Sequence, residues 1–327
     1  MNNIDDFWLA DGNLYYKIKN NFFCNTNKIL LSPDAVINSK FEKIFLYDDS
    51  SLYELNSLLK KKEVFHSYNS SNIEYVGNDY YRVFKRENND LFKNELYLNE
   101  ILKWRFTEDN WIKNPTHLFL FSKKFDFSRI FSRDIHTGDT LWHFSVSELG
   151  RWIDMGEERE GKIIGPIVEC NGVLIMGVSG NRIIGLEKNT GKLLWNNQYP
   201  PSGSGYLVYK ESAYSLHQHF CKLNPKTGEE TVLFPYYPVF DEQHADAYCI
   251  DIITDNYYIS VGRLDCVILK WDILTGQIVW RHEIYPPKKT GRRGITLKGD
   301  ILDPVQYHQG KLYILTSDKI LHVFDVR

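Results

Sequence analysis

The sequence predicts an all-β chain, a seven-bladed β-propeller of four-stranded antiparallel blades, on three observations. A turn of the form Asp/Asn/Glu-x-x-Thr-Gly recurs four times. Strand-like alternation precedes and follows each copy. The turn glycines stand at 138, 191, 228 and 276, so the copies are 53, 37 and 48 residues apart, room for about four short strands each.

The copies are Asp134-Ile-His-Thr-Gly-Asp-Thr-Leu-Trp142, Glu187-Lys-Asn-Thr-Gly-Lys-Leu-Leu-Trp195, Asn224-Pro-Lys-Thr-Gly-Glu-Glu-Thr-Val232 and Asp272-Ile-Leu-Thr-Gly-Gln-Ile-Val-Trp280. The short polar side chain that opens each copy is suited to bond turn backbone. The glycine supplies the positive φ that a tight hairpin needs. The tryptophan, absent only from the third copy, returns on the following strand as a large apolar cover and is expected to be structural. Upstream of two copies the expected strands are explicit: 163–170, 172–178, 182–187 and 192–197 in one, and 248–254, 257–262, 266–272 and 277–282 in the other.

These turns and their tryptophans resemble the PQQ-like, quinoprotein-type propeller repeat over residues 116–327. The resemblance implies the propeller fold and little about chemistry, because that repeat serves both enzymes and scaffolds. Residues 24–115 alternate without a Thr-Gly turn, at 43–56 and 80–106 above all, and are expected to make two degenerate blades, with Trp104 standing for the repeat tryptophan. The last blade runs to Asp325, the counterpart of Asp272, and lacks a fourth strand. An open edge would leave backbone groups unpaired, so the N-terminal segment 1–23 is expected to supply the strand, within residues 4–23. All 327 residues then form a single domain.

Composition narrows the function classes. Hydrophobic residues make up 43% of the chain, enough to build a core, and 21 Tyr with 19 Phe favour strands. A net charge of -3 argues against direct nucleic-acid binding. No run approaches the ~18 apolar residues of a membrane span, and no signal peptide is visible at the N-terminus. The five cysteines, Cys24, Cys170, Cys221, Cys249 and Cys266, form no C-x-x-C pair. Reduced thiols in a cytoplasmic protein are the expectation.

Candidate chemistry is sparse. The quinone reading that the resemblance allows finds no adjacent cysteine pair and no recognisable calcium-ligand loop, so no cofactor is expected. His217 and His219 form an H-x-H pair that a strand would place on one face, as metal ligands often lie. Cys221 continues that face, but no third ligand has convincing spacing. No G-x-S-x-G, Walker-type loop or G-x-G-x-x-G occurs, and the GRRG run at 291–294 lacks the helices that would frame a nucleic-acid loop. The chain is therefore expected not to be an enzyme.

Binding is expected on long links between blades, which should share a face with the loops joining second and third strands. Three links stand out. Residues 147–162 carry five acids against three bases, with Arg151, Trp152, Asp154, Met155, Glu157 and Glu158 as contacts; Trp152 and Met155 are expected to be exposed. Residues 235–247 offer Tyr236, Tyr237 and Phe240 beside Asp241 and Glu242. Residues 285–304 are basic, with Lys288, Lys289, Arg292 and Arg293. Aromatic anchors in a charged rim suit protein recognition.

The richness in Asn, Lys, Tyr, Phe and Ile, with the missing export signal and catalytic motif, resembles the bacterial immunity proteins of contact-dependent growth-inhibition systems. That resemblance implies a cytoplasmic monomer joined 1:1 to a cognate toxin domain, commonly a nuclease, whose active site it occludes. Two alternatives stand beside it. One is an assembly scaffold related to outer-membrane assembly propellers. The other is a small-ligand or metal-binding propeller enzyme, supported only by the H-x-H pair.

Overall fold

A computed structural model describes residues 1–31, 35–40, 43–48, 51–66, 73–77, 80–86, 92–98, 101–106, 111–113, 117–121, 128–154, 156–198, 205–216, 219–235, 249–262, 266–285 and 300–327. The fold is all-β, with seven four-stranded antiparallel sheets as the blades of a β-propeller. The first sheet holds β1 (Asp6–Ala10), β2 (Asn13–Ile18), β3 (Asn21–Cys24) and β4 (Asn27–Leu30). The second holds β5 (Val36–Lys40), β6 (Lys43–Asp48), β7 (Ser51–Leu55) and β8 (Lys61–His66). The third holds β9 (Ile73–Gly77), β10 (Tyr80–Arg86), β11 (Phe92–Leu98) and β12 (Ile101–Phe106), and the fourth β13 (Trp111–Lys113), β14 (His117–Phe121), β15 (Arg129–Asp134) and β16 (Thr140–Ser145).

A two-stranded hairpin follows, β17 (Trp152–Asp154) and β18 (Glu157–Arg159). The fifth sheet then takes β19 (Ile163–Cys170), β20 (Val173–Val178), β21 (Arg182–Glu187) and β22 (Leu193–Gln198). The sixth takes β23 (Gly205–Tyr209), β24 (Ser212–Leu216), β25 (His219–Leu223) and β26 (Glu230–Pro235). The seventh takes β27 (Cys249–Ile253), β28 (Tyr257–Gly262), β29 (Val267–Asp272) and β30 (Ile278–Glu283). A further three-stranded sheet, β31 (Ile301–His308), β32 (Lys311–Thr316) and β33 (Leu321–Asp325), ends the chain. The chain divides into two compact units: Met1–Phe106 with Gly262–Cys266 and Glu283–Arg327, and Thr107–Val261 with Val267–His282.

In the second unit the four turns repeat one geometry. Asp134, Glu187, Asn224 and Asp272 each accept the backbone N–H two residues on, at 2.7, 3.1, 3.0 and 3.0 Å. Each glycine N–H returns to the carbonyl of the opening residue at 2.8–2.9 Å, with φ between 68° and 79°. The N–H groups of Thr275 first, together with its hydroxyl, hold the Asp272 carboxyl below its usual range. That contribution is full above the unfolded carboxylate's pKa and is lost as pH falls through the folded value.

The tryptophan of one sheet docks on the next sheet's turn. Trp142 covers Gly191 so closely that a Cβ there would lie 2.4 Å from the ring, and its indole N–H donates to the Lys188 carbonyl at 2.9 Å. Trp195 covers Gly228 and donates to the Pro225 carbonyl at 2.7 Å. In the copy without tryptophan, Val232 is 56% exposed, and Phe234 covers Gly276 instead. Phe234 has no N–H to give; its ring stacks on Trp271 of the following sheet, centroids 5.3 Å apart. The core therefore lies between consecutive sheets. One cluster joins Trp142 and Phe144 to Leu174, Met176 and Ile184, and another joins Phe220 and Phe234 to Tyr258, Leu269 and Trp271.

A β-bulge sets which residue docks. In β16, β22 and β26 the ladder skips one residue just before Trp142, Trp195 and Phe234. In the first unit, the same skip precedes Phe65 in β8 and Trp104 in β12. Trp104 thus takes the register of a repeat tryptophan, as the sequence suggests. Trp280 is half-buried and stacks on His282 at 5.5 Å.

The N-terminal segment is divided differently from expectation. Residues 6–23 do not run as a strand of the last sheet, because Asp11 and Lys19 take positive φ, with Gly12 completing the first turn, and break them into strands of a sheet of their own. The chain's first four residues make the closing contact. Asn2 bridges Ile320 antiparallel, the Ile4 N–H donates to the Lys319 carbonyl, and the Leu321 N–H donates to the Met1 carbonyl, both at 2.9 Å. Ile4 and Phe7 pack with Leu315 and Leu321, and Gln306 Oε1 accepts the Leu9 N–H from β1 at 2.9 Å.

Two variants test this account. Gly191→Ala is expected to cost the ~1–2 kcal/mol of left-handed strain plus about 1–3 kcal/mol of overpacking against Trp142. Gly172→Ala, with φ 75° and open space around it, should show the strain alone; equal losses in urea unfolding would remove the tryptophan contact from the explanation. Ile4→Ala, at a site 1% exposed, should cost about 2–5 kcal/mol in the same assay.

Candidate functional site

The most developed surface feature is the link between β16 and β19. After β16, a short 3-10 helix (Val146–Leu149) starts at Ser145, whose N–H donates to Glu148 Oε1 at 3.3 Å, and ends at Gly150 with φ 80°. Val146 is fully buried and sits against Gly161, where a Cβ would lie 2.6 Å away. Between these anchors the chain forms the β17–β18 hairpin, turning at Gly156 with φ 86°. Trp152 lies on the Gly180 turn that joins β20 to β21, 3.1 Å from the position of a Cβ there. Arg182 braces the hairpin's foot, donating through Nη1 to the Leu149 carbonyl at 2.7 Å. The link thus shares a face with the second-to-third strand turn of its sheet, as the sequence predicts.

Register fixes the two faces. Trp152 pairs with Arg159, Ile153 with Glu158, and Asp154 with Glu157. Trp152 turns toward Gly180 and is half-buried, which corrects its expected exposure: the glycine turn leaves room for the indole. Ile153, which sequence reasoning passed over, faces out at 72% exposure. Strict alternation from Trp152 toward the glycine at 156 is the sequence signal for it. Arg151 and Glu158 form an exposed ion pair at 3.1 Å, and Arg159 and Glu157 another at 3.4 Å. The foot carries two buried donors without an acceptor, Trp152 Nε1 and Arg182 Nη2.

The structure brings Arg151, Trp152, Asp154, Glu157 and Glu158 onto this one hairpin; Asp154 is placed by its backbone register. Met155, Tyr236, Tyr237, Phe240, Asp241, Glu242, Lys288, Lys289, Arg292, Arg293 and His217 lie outside the described residues. The stretch expected as the link 285–304 ends earlier than expected, because β31 begins at Ile301.

Of the H-x-H pair, the structure describes His219. His219 opens β25 half-buried, with Nδ1 unpartnered. Cys221 is fully buried opposite Ser215, whose hydroxyl donates to Glu230. Burial first, then the Glu230 charge, push the Cys221 thiol up to about 12, so it keeps its proton at neutral pH. Among the described residues no three His, Cys, Asp or Glu side chains cluster to hold a metal ion. Cys24, Cys170 and Cys266 are likewise buried, with no disulfide among the described residues. Nearby, Tyr258 stacks on Phe220 at 4.8 Å and donates its hydroxyl to Asp251. Burial, the larger effect, raises the Asp251 carboxyl despite that bond.

No protein-family model and no curated protein sequence matches the chain. Solved structures do. The computationally designed Ika8 protein superposes with a TM-score of 0.62 at 11% identity, over 99% of this chain and 96% of its own. BamB from Moraxella catarrhalis gives 0.58 at 13% identity, over 97% and 95%. Sqt1 from Saccharomyces cerevisiae gives 0.56 at 11% identity, over 100% and 99%. At these identities the likeness is one of fold alone, a β-propeller. Among the described residues no helix is long and apolar enough to cross a membrane.

Asp251→Asn tests the buried carboxyl. A raised folded pKa adds stability that is full below the unfolded carboxylate's pKa and is lost as pH rises through the folded value. The amide keeps an acceptor for Tyr258 and removes that titration, so the variant should be more stable than the parent at pH 7, with the advantage vanishing in acid. Tyr258→Phe should cost about 1–3 kcal/mol at neutral pH by leaving the carboxylate without its donor.

Proposed function

We propose that this chain is a non-enzymatic, protein-binding β-propeller, and that its finer role is that of a cytoplasmic immunity protein which joins a cognate toxin domain 1:1 and occludes its active site. The observation that carries the binding reading is the β17–β18 hairpin: a short sheet braced on the Gly180 turn, with an apolar residue held out among charges. Preorganised apolar anchors inside a charged rim are the usual seats of recognition energy. The inert, buried Cys221 thiol supports the non-enzymatic part. The finer role rests on composition and on the acid excess of residues 147–162, which complements a basic nuclease cleft.

Co-expression with the product of the neighbouring gene tests the proposal. A 1:1 complex on size-exclusion chromatography with light scattering, together with relief of that product's toxicity, is the expected result. Toxicity that persists while a stable complex forms would remove the immunity role and keep the binding role. Absence of any complex would end both.

A further inference from the structure

We infer that the β17–β18 hairpin takes an extended, basic segment of the partner protein as a third strand, with Ile153 as the apolar contact. The inference rests on the protein-binding reading and adds the seat and the chemistry of what sits there. Its first support is topological. Among the described residues the hairpin is a sheet of two strands, joined to none of the blades, so its outer edges offer backbone donors and acceptors of the kind that strand addition uses.

The second support is the outward face. Alternation puts Ile153 and Glu158 on the side away from Gly180; Arg151 reaches Glu158 there, and the exposed Glu160 follows directly after β18. Ile153 contributes a β-branched side chain at 72% exposure, suited to a cross-strand contact with an apolar residue of an added strand. Glu158 is paired only with Arg151 at the surface, a weak contact that an incoming lysine can replace.

Charge selects the occupant. Residues 147–162 hold five acids and three bases, a net of -2, so these sixteen positions carry two of the chain's three net negative charges. An acidic or neutral strand would meet Glu158 and Glu160 at a cost, whereas one alternating basic and apolar residues matches both the carboxylates and Ile153. The mount suits the role, because Trp152 on Gly180 and Arg182 on Leu149 fix the hairpin before anything binds. An added strand then orders mainly itself.

The test uses the full chain and a fluorescent peptide of alternating lysine and valine, with a second peptide N-methylated at every other residue to block strand pairing. Saturable binding that weakens with salt is expected. It should fall about tenfold on N-methylation and about tenfold on Ile153→Asp, with a smaller loss for Glu160→Lys. Both substituted side chains are exposed, so thermal unfolding should match the parent. No saturable binding, equal binding of the N-methylated peptide, or an unchanged affinity in Ile153→Asp overturns the inference. A partner that copurifies equally with the parent and with Ile153→Asp would preserve the protein-binding reading while moving its seat elsewhere.

Discussion

An aromatic ring laid across a glycine of the following sheet is the contact on which the second unit depends. Trp142 on Gly191, Trp195 on Gly228 and Phe234 on Gly276 each join one blade to the next. Two of these rings also give an indole N–H to a turn carbonyl, so the contact is both apolar and directional. The glycine serves two needs at once. Its positive φ closes the hairpin, and its missing Cβ lets the ring approach. Because the buried clusters lie between sheets, no single blade completes a core alone, and stability is shared by neighbours.

Much of this was legible in the sequence for a physical reason: the docking unit is local. The opening acid or amide, the Thr-Gly pair and the tryptophan fall within nine residues, and each has a distinct chemical task. The strands around the second and fourth copies came out within one or two residues of expectation for the same reason. What escaped was non-local. Phe234 replaces a tryptophan by lying two residues further along, and only its pairing with Phe220 shows that. Residues 4–23 read as the source of a strand for the last sheet, yet the turns at Asp11-Gly12 and Lys19-Asn20 fold residues 6–23 into the first sheet.

The candidate site was half legible. Composition marked residues 147–162 as a charged link worth attention, and the structure gathers its acids and arginines on one hairpin. Trp152 was expected to face outward, whereas the structure turns out Ile153, which sequence reasoning passed over. Large aromatic residues in links invite a reading as anchors, but here the indole finds a glycine turn to lie on, and the smaller β-branched neighbour is left in water. Two buried donors at the hairpin's foot, Trp152 Nε1 and Arg182 Nη2, have no protein acceptor among the described residues.

The skipped residue ahead of each docking ring has a consequence for how such chains are recognised. In β8, β12, β16, β22 and β26 an aromatic residue follows the skipped position, whether or not a Thr-Gly pair is present. Natural drift can therefore lengthen a hairpin by two residues, or erase its signature, while the architecture persists. Pattern searches keyed to fixed intervals will undercount the modules of these proteins, and the blades that they miss will be the ones whose turns have lost the Thr-Gly pair.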